Sequence, residues 1–194
     1  MTKIAIVKYN AGNIQSVQFA LNRLGIEAMV TDNPQQLKAA DKIIFPGVGE
    51  ASTAMKYLKE RKLDQLLKGL KQPFLGICLG MQLMCRHSEE NHTDCLGIFD
   101  LEVKQFPPRD KVPHMGWNTI NRFNSPLLKG IKEEEYVYFV HSYYAELGAE
   151  TICESNYIVP FTAGLQKDNF YGFQFHPEKS GTIGATILKN FIEM

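Results

Sequence analysis

Four short apolar runs in the first 77 residues, at Lys3 to Lys8, Glu27 to Thr31, Lys42 to Phe45 and Pro73 to Ile77, alternate with helical patterns. That alternation restricts the fold more than any other feature of the chain. Asn13 is placed to cap a helix whose Ile14, Val17, Leu21 and Leu24 share one face, with Gly25 ending it. After the third run, Met55 and Leu58, then Leu63, Leu66, Leu67 and Leu70, form further apolar stripes. Strands alternating with helices are most economically joined by right-handed crossovers, which predicts an α/β fold with a mostly parallel central sheet between helical layers. From Gly97 to Leu165 the pattern changes to short alternating strands with Pro and Gly turns, predicting an antiparallel insert or sheet extension. Ile183, Ile187, Leu188 and Phe191 give a final helix its apolar face, and with no linker or repeat, residues 1–194 read as one domain.

The fourth run carries chemistry, because PFLGICLGMQ takes Phe74, Leu75 and Ile77 straight into a helix through Gly76-Ile77-Cys78-Leu79-Gly80. Flanking glycines allow a turn too tight for side chains, presenting Cys78 at the first turn of the helix. Unpaired N–H groups and the positive end of the helix dipole favour a thiolate there. A lone cysteine after an apolar strand is also met as a small core residue, so a nucleophile needs a base. Tyr171-Gly172-Phe173-Gln174-Phe175-His176-Pro177-Glu178 supplies one: Tyr171, Phe173 and Phe175 alternate as in a strand, and His176 follows at its end. Glu178 lies two residues on, across Pro177, where a carboxylate can orient the imidazole of a Cys-His-Glu triad. Ile43 to Glu50, IIFPGVGE, opens an apolar strand into a Gly-rich loop. With no Gly-Lys-Ser/Thr and no complete G-x-G-x-x-G it is a poor nucleotide site; N–H groups around Val48 and Gly49, with that of Leu79, suit an oxyanion hole. A plain strand-to-helix turn remains the alternative. In an open sheet, Gly47 to Gly49, Cys78 and His176 would meet beyond the carboxyl ends of the strands.

FPGVG, GICLGMQ and FQFHPEKS, in that order, resemble the class I (triad) glutamine amidotransferases. YNAGN near the start, PHMGWN at 113 to 118 and YFVHSYY at 138 to 144 are similar to the glutaminase subunits of imidazole glycerol phosphate synthases, from histidine biosynthesis, and the similarity spans nearly all 194 residues. The resemblance implies that Cys78, His176 and Glu178 hydrolyse L-glutamine to glutamate and ammonia. It also implies that Gln82 and the backbone of Gly47, Gly49, Ser142 and Tyr143 grip the substrate, with His141 in the same loop. The ammonia would pass to a (βα)8-barrel cyclase subunit in a heterodimer, yielding imidazole glycerol phosphate and an aminoimidazole carboxamide ribonucleotide. Asn10, Asn13, Trp117, Tyr138 and Lys179 are then expected near that partner; Trp117 alone reads equally well as core. Lys8 stands where many members of that family carry a small or acidic residue, close to the expected docking face. The resemblance implies no cofactor: no flavin, pyridoxal phosphate, nucleotide or metal.

Composition narrows the alternatives. Balanced charge, 21 Lys and Arg against 21 Asp and Glu, gives no global attraction to nucleic acid or to an anionic membrane. The amino terminus has too short an apolar run for a signal peptide, and no run is long enough to span a bilayer, so a cytoplasmic location is expected. Cys78, Cys85, Cys95 and Cys153 are too sparse for a disulfide framework. Cys85, His87, His92 and Cys95 offer zinc-ligand types at unconvincing spacing, and Ser88, Glu89, Glu90, Asn91, Thr93 and Asp94 between them suggest a solvated loop. Two other readings stand beside the glutaminase of this or another biosynthetic amidotransferase. One is a thiol peptidase or hydrolase on a related α/β scaffold; the other, a non-catalytic docking subunit, is expected to have lost Cys78, His176 or Glu178.

Overall fold

The computed structural model describes residues 2–10 and 12–194, so position 11 of the YNAGN motif lies outside the described residues. The first half runs β1 (Ile4–Val7), α1 (Ile14–Arg23), β2 (Met29–Thr31), α2 (Pro34–Ala39), β3 (Lys42–Gly47), α3 (Ala51–Glu60), α4 (Leu63–Gly69), β4 (Phe74–Cys78) and α5 (Leu79–Met84). It continues with β5 (His87–Ser88), β6 (Thr93–Asp94), β7 (Glu102–Gln105), β8 (His114–Thr119), β9 (Tyr136–His141) and β10 (Tyr143–Ala145). The chain ends in β11 (Thr151–Tyr157), β12 (Val159–Lys167), β13 (Phe170–Phe173) and α6 (Gly181–Glu193).

The central seven-stranded sheet has the order β11-β12-β13-β4-β3-β1-β2. Its β2-β1-β3-β4-β13 part is parallel, and β12 and β11 extend it antiparallel. Because helices cover both faces, four of the five parallel strands are buried throughout: every residue of β1, β3, β4 and β13 is inside, while the edge strand β2 exposes Met29. One face buries Leu58, Leu67 and Met84 of α3, α4 and α5 against Phe45 and Phe74; the other buries Leu21 and Phe191 of α1 and α6 against Ile44, Leu75 and Phe173. The expected antiparallel region serves three purposes. Besides extending the main sheet, it forms a separate β8–β9 hairpin and supplies β7 and β10 to a small mixed sheet of order β10-β7-β5-β6, whose β5 and β6 precede Gly97 and whose β5–β7 pair is parallel.

Register fixes the working edge. Gly47 pairs with Cys78 at the carboxyl ends of β3 and β4, and Phe173 of β13 pairs with Ile77, so the segments that leave these three strands emerge side by side.

Candidate active site

Cys78 ends β4 and immediately precedes α5, with φ 54° and ψ −111°. A side chain at this φ is strained by about 1–3 kcal/mol, a cost that persists only where the surroundings impose it. The neighbouring glycines explain how. They are needed for space, as a turn too tight for side chains requires, and the positive φ falls on the cysteine itself. A Cβ on Gly80 would lie 1.7 Å from the Phe45 carbonyl oxygen, and one on Gly76 would lie 2.4 Å from the Met84 methyl and 2.9 Å from the Gly80 backbone. α5 therefore sits directly on β3 and β4, and the chain has to turn sharply at Cys78. The residue is only 6% exposed; its S–H reaches the Val140 carbonyl at 3.8 Å, and Gln174 Nε2 donates to the sulfur at 3.7 Å.

His176 leaves the neighbouring parallel strand, fully buried, with its N–H bonded to the Tyr138 carbonyl at 2.9 Å. Its Nδ1 meets Glu178 Oε1 at 2.7 Å, inside one short turn (Pro177–Lys179). The proton spent there leaves Nε2 as the free ring nitrogen, buried and without a hydrogen-bond partner among the described residues. Burial opposes charge on the imidazole, but the nearby Cys78 sulfur and the Glu178 carboxylate outweigh it and push His176 up to about 10. Asn13 does not cap α1 with its side chain as expected; its Nδ2 instead donates to Glu178 Oε1. Its 3.3 Å approach to His176 Nδ1 is a contact only, since that nitrogen's proton already goes to Glu178.

A cleft of about 310 Å³ opens in front of Cys78, lined by Val48, Gly49, Leu79, Gln82, His141, Ser142 and Tyr143 among others. Of the substrate residues expected from the sequence, only Gly47 lies outside this lining. It is buried, a Cβ there meeting the Tyr9 hydroxyl at 2.1 Å, while Tyr9 itself donates to the Pro46 carbonyl at 2.7 Å and straps β3 from behind. Gly49 has φ 118°, open to glycine alone, and the Val48 carbonyl accepts a long 3.4 Å bond from Gly12 N–H. Glu50 closes the loop by capping α3 through Ser52 and Thr53, bonds that hold its carboxyl down to about 2.

Three site features escape a reading of the sequence. Glu90, assigned to a solvated loop, lines the cleft; burial raises its carboxyl above the usual range against the bond it accepts from Ala51 N–H at 2.7 Å. Ser88 beside it is also buried. His114 and His141 form a buried pair, Nδ1 to Nε2 at 3.0 Å, with His114 stacked on Tyr157. Burial brings His114 down to about 4 and His141 down to about 3, so both rings stay neutral. Gln174, which alternation would place on a polar strand face, is fully buried.

The outer face of the β8–β9 hairpin is apolar and exposed. Trp117 pairs with Tyr138 across the ladder, their rings 5.9 Å apart, and Met115 and Tyr136 extend the patch. The Trp117 side chain is therefore not core. Lys179 and Lys8 are exposed, and Asn10, also exposed, donates to the Thr53 carbonyl at 3.2 Å. Cys85 is buried while His92 is exposed, and no group of three or more His, Cys, Asp or Glu among the described residues is gathered to hold a metal ion. No helix among them is long and apolar enough to cross a membrane.

Comparison with known proteins bears on what such a site does. Residues 5–194 match the family model described as glutamine amidotransferase class-I. A relative from Bacteroides fragilis, named imidazole glycerol phosphate synthase subunit HisH, is 62% identical over 195 residues, covering 99% of this chain and all of its own. One of the same name from Bacteroides thetaiotaomicron is 60% identical with the same coverage. Among solved structures, PurLQS from Thermotoga maritima superposes with a TM-score of 0.74 at 17% identity, covering 99% of this chain and 98% of its own, a likeness of fold. With a family model spanning nearly its whole length and full-length relatives at such identity, the chain belongs to the class-I glutamine amidotransferases, in the branch of the imidazole glycerol phosphate synthase HisH subunits.

Proposed function

We propose that Cys78, His176 and Glu178 are the catalytic residues with which this chain, a glutaminase subunit of imidazole glycerol phosphate synthase in histidine biosynthesis, releases ammonia from L-glutamine. The observation that carries the assignment is the strained Cys78 at the end of β4 beside the buried His176–Glu178 pair at 2.7 Å. The thiolate adds to the side-chain amide carbon, and negative charge develops on the carbonyl oxygen. N–H groups of Leu79 and of the Val48–Gly49 loop stabilise that oxygen. His176 gives a proton to the leaving ammonia; after that, it takes one from water, which releases glutamate from the thioester. Glu178 holds the ring in the tautomer that leaves Nε2 for this exchange, and Asn13 holds Glu178.

The cleft supports the substrate assignment to Gln82, His141, Ser142 and Tyr143, with the backbone of Gly47 and Gly49 completing the loop beside it. Glu90 is added as a carboxylate suited to an α-ammonium group. The partner is a (βα)8-barrel cyclase, which takes up the ammonia. Its docking face includes Trp117 and Tyr138 on the hairpin, with Asn10 and Lys179 at its margin. Two bonds join that hairpin to the site: His176 N–H to the Tyr138 carbonyl, and the Cys78 thiol to the Val140 carbonyl. Partner contact at the outer face thus bears on the nucleophile from the inner edge. The 3.4 Å Gly12–Val48 bond and the glycine at 49 leave the oxyanion loop easily rearranged, so docking can raise the population of its competent form.

The test is steady-state glutamate production by the chain alone, with cyclase, and with cyclase plus a substrate analogue. Output should rise at each step. Cys78→Ser should abolish it while the complex still uses free ammonia. Undiminished turnover in that variant would remove Cys78 from its role.

A further inference from the structure

Hydrogen-bond polarity in the cleft is set by one atom that cannot change role. The Tyr143 carbonyl can only accept, and Gln82 Nε2 lies 2.8 Å from it. The Gln82 amide is therefore turned with its NH₂ toward Tyr143, and the second hydrogen of that group goes to the Gln174 amide at 2.9 Å. The Gln174 atom receiving it has to be Oε1. Its own NH₂ then faces Cys78 Sγ at 3.7 Å, and the carbonyl oxygen of Gln82, a residue lining the cleft, is left as an acceptor. Gln174 is fully buried, with its backbone N–H pinned to the Ala163 carbonyl at 2.9 Å, so the side chain has little freedom to give up this arrangement. A buried primary amide costs about 1–3 kcal/mol when left unpaired, so this paired arrangement is strongly held.

We propose that Gln174 is a positioning residue of the glutaminase site, fixing the Gln82 amide through Oε1 and donating to the Cys78 sulfur through Nε2. The inference rests on the reading of Cys78 as nucleophile and Gln82 as substrate ligand. It gives Gln174 two separable effects. Through Gln82 it joins the Tyr143 carbonyl in holding the NH₂ inward, which keeps an oxygen available to the α-ammonium of glutamine. Through the sulfur it supplies a donor to the thiolate, opposite in sense to the Val140 carbonyl, which favours the thiol.

Two substitutions in the complex with cyclase separate these effects. Gln174→Glu keeps an acceptor for Gln82 but sets a carboxylate against sulfur, and Gln174→Met removes both contacts at similar volume. The readouts are KM and kcat for glutamine, and the rate of Cys78 alkylation by iodoacetamide across pH. Alkylation is read at Cys78 by peptide mass, with Cys85 and Cys153 fully buried and the Cys95 thiol pushed by burial up to about 12. We expect Gln174→Glu to hold KM within about threefold of wild type while kcat and neutral-pH alkylation fall about tenfold or more. Gln174→Met should raise KM by about tenfold as well. Lost turnover with KM and alkylation unchanged would assign Gln174 a purely structural part and overturn the proposal, as would wild-type behaviour throughout. Should neither variant fold, the wild-type complex decides: the Gln174 side-chain nitrogen resonance should shift with the pH midpoint of Cys78 alkylation, and a static resonance overturns the idea. Cys78→Ala separates the two levels, since retained glutaminase activity there would sink the underlying reading, whereas an inactive Cys78→Ala beside unaffected Gln174 variants would sink only this inference.

Discussion

Gly80→Ala tests the geometric origin of the nucleophile. The added methyl would sit 1.7 Å from the Phe45 carbonyl oxygen, whereas Cβ contacts below 3.0 Å essentially do not occur, so α5 must withdraw from β3 by about 1.3 Å. The contact is with backbone, and no side chain can swing away to relieve it. Cys78 and the Leu79 N–H ride on the first turn of that helix. A misplacement of about 1 Å costs catalysis about a hundredfold, so kcat/KM for glutamine should fall at least that far, about 2.7 kcal/mol in the barrier. Overpacking of this kind destabilises by about 1–3 kcal/mol, which for a chain of this size lowers Tm by about 2–12 °C. The assay is glutamate release by the reconstituted complex, with the ammonia-dependent reaction and a thermal melt run in parallel. Gly69→Ala is the control: it ends α4 with nothing within 4 Å of the new Cβ, and glutaminase activity should be unchanged. A folded Gly80→Ala within about threefold of wild-type kcat/KM would refute the claim that close packing of α5 on β3 sets the elbow.

The remaining predictions concern the two kinds of histidine. His176→Asn should lower glutamine hydrolysis by about 10² to 10⁴, more than Glu178→Gln, because it removes proton transfer itself while Glu178 acts through orientation; wild-type rates in both variants would contradict the triad. His114 and His141 are held below their unfolded value of about 6.5, so the unfolded chain binds more protons as the pH falls. Their contribution should therefore be full above about pH 6.5 and decline toward pH 5 by up to about 1.4 kcal/mol per pH unit for each ring, while Glu90, whose carboxyl burial raises, acts in the opposite sense. His176 is shifted the other way: its contribution is complete below about 6.5 and is lost as the pH rises through its folded value of about 10, so it stays constant in that window. Urea midpoints between pH 6.5 and 5 measure the slope; His114→Phe should make it shallower, and a flat wild-type profile would show the pair to be exposed in solution.

What is legible in the sequence follows from which features are local. The β-α succession, Cys78 before a helix and His176 two residues from Glu178 each lie within one short segment, and each can be read there. The four parallel strands of the first half fall within about two residues of their expected bounds because an apolar run bounded by turns is a local signal. The burial of Gln174 is not legible, since alternation in YGFQFH implies one wet face, whereas β13, which Gln174 directly follows, lies inside the sheet with helices over both faces. Glu90 is hidden for the converse reason: it sits in a charged segment that reads as solvated until the fold lays it against the start of α3. The His114–His141 pair depends on the β8–β9 register, which no single strand reveals. The clearance supplied by Gly76 and Gly80 is legible in the motif, whereas the positive φ of Cys78 is not, since it depends on how closely α5 packs on β3.

The central claim, that the Cys78 sulfur forms a covalent glutamyl intermediate, is tested most directly by trapping it. The complex with cyclase is treated with a glutamine-like diazoketone, its residual activities are measured, and the modified peptide is identified by mass. A single adduct on Cys78 is expected, with glutamate release falling in proportion to its formation, full protection by excess glutamine, and an undiminished ammonia-dependent reaction. Loss of glutamate release with Cys78 unmodified, or full release from a completely modified Cys78, would contradict it.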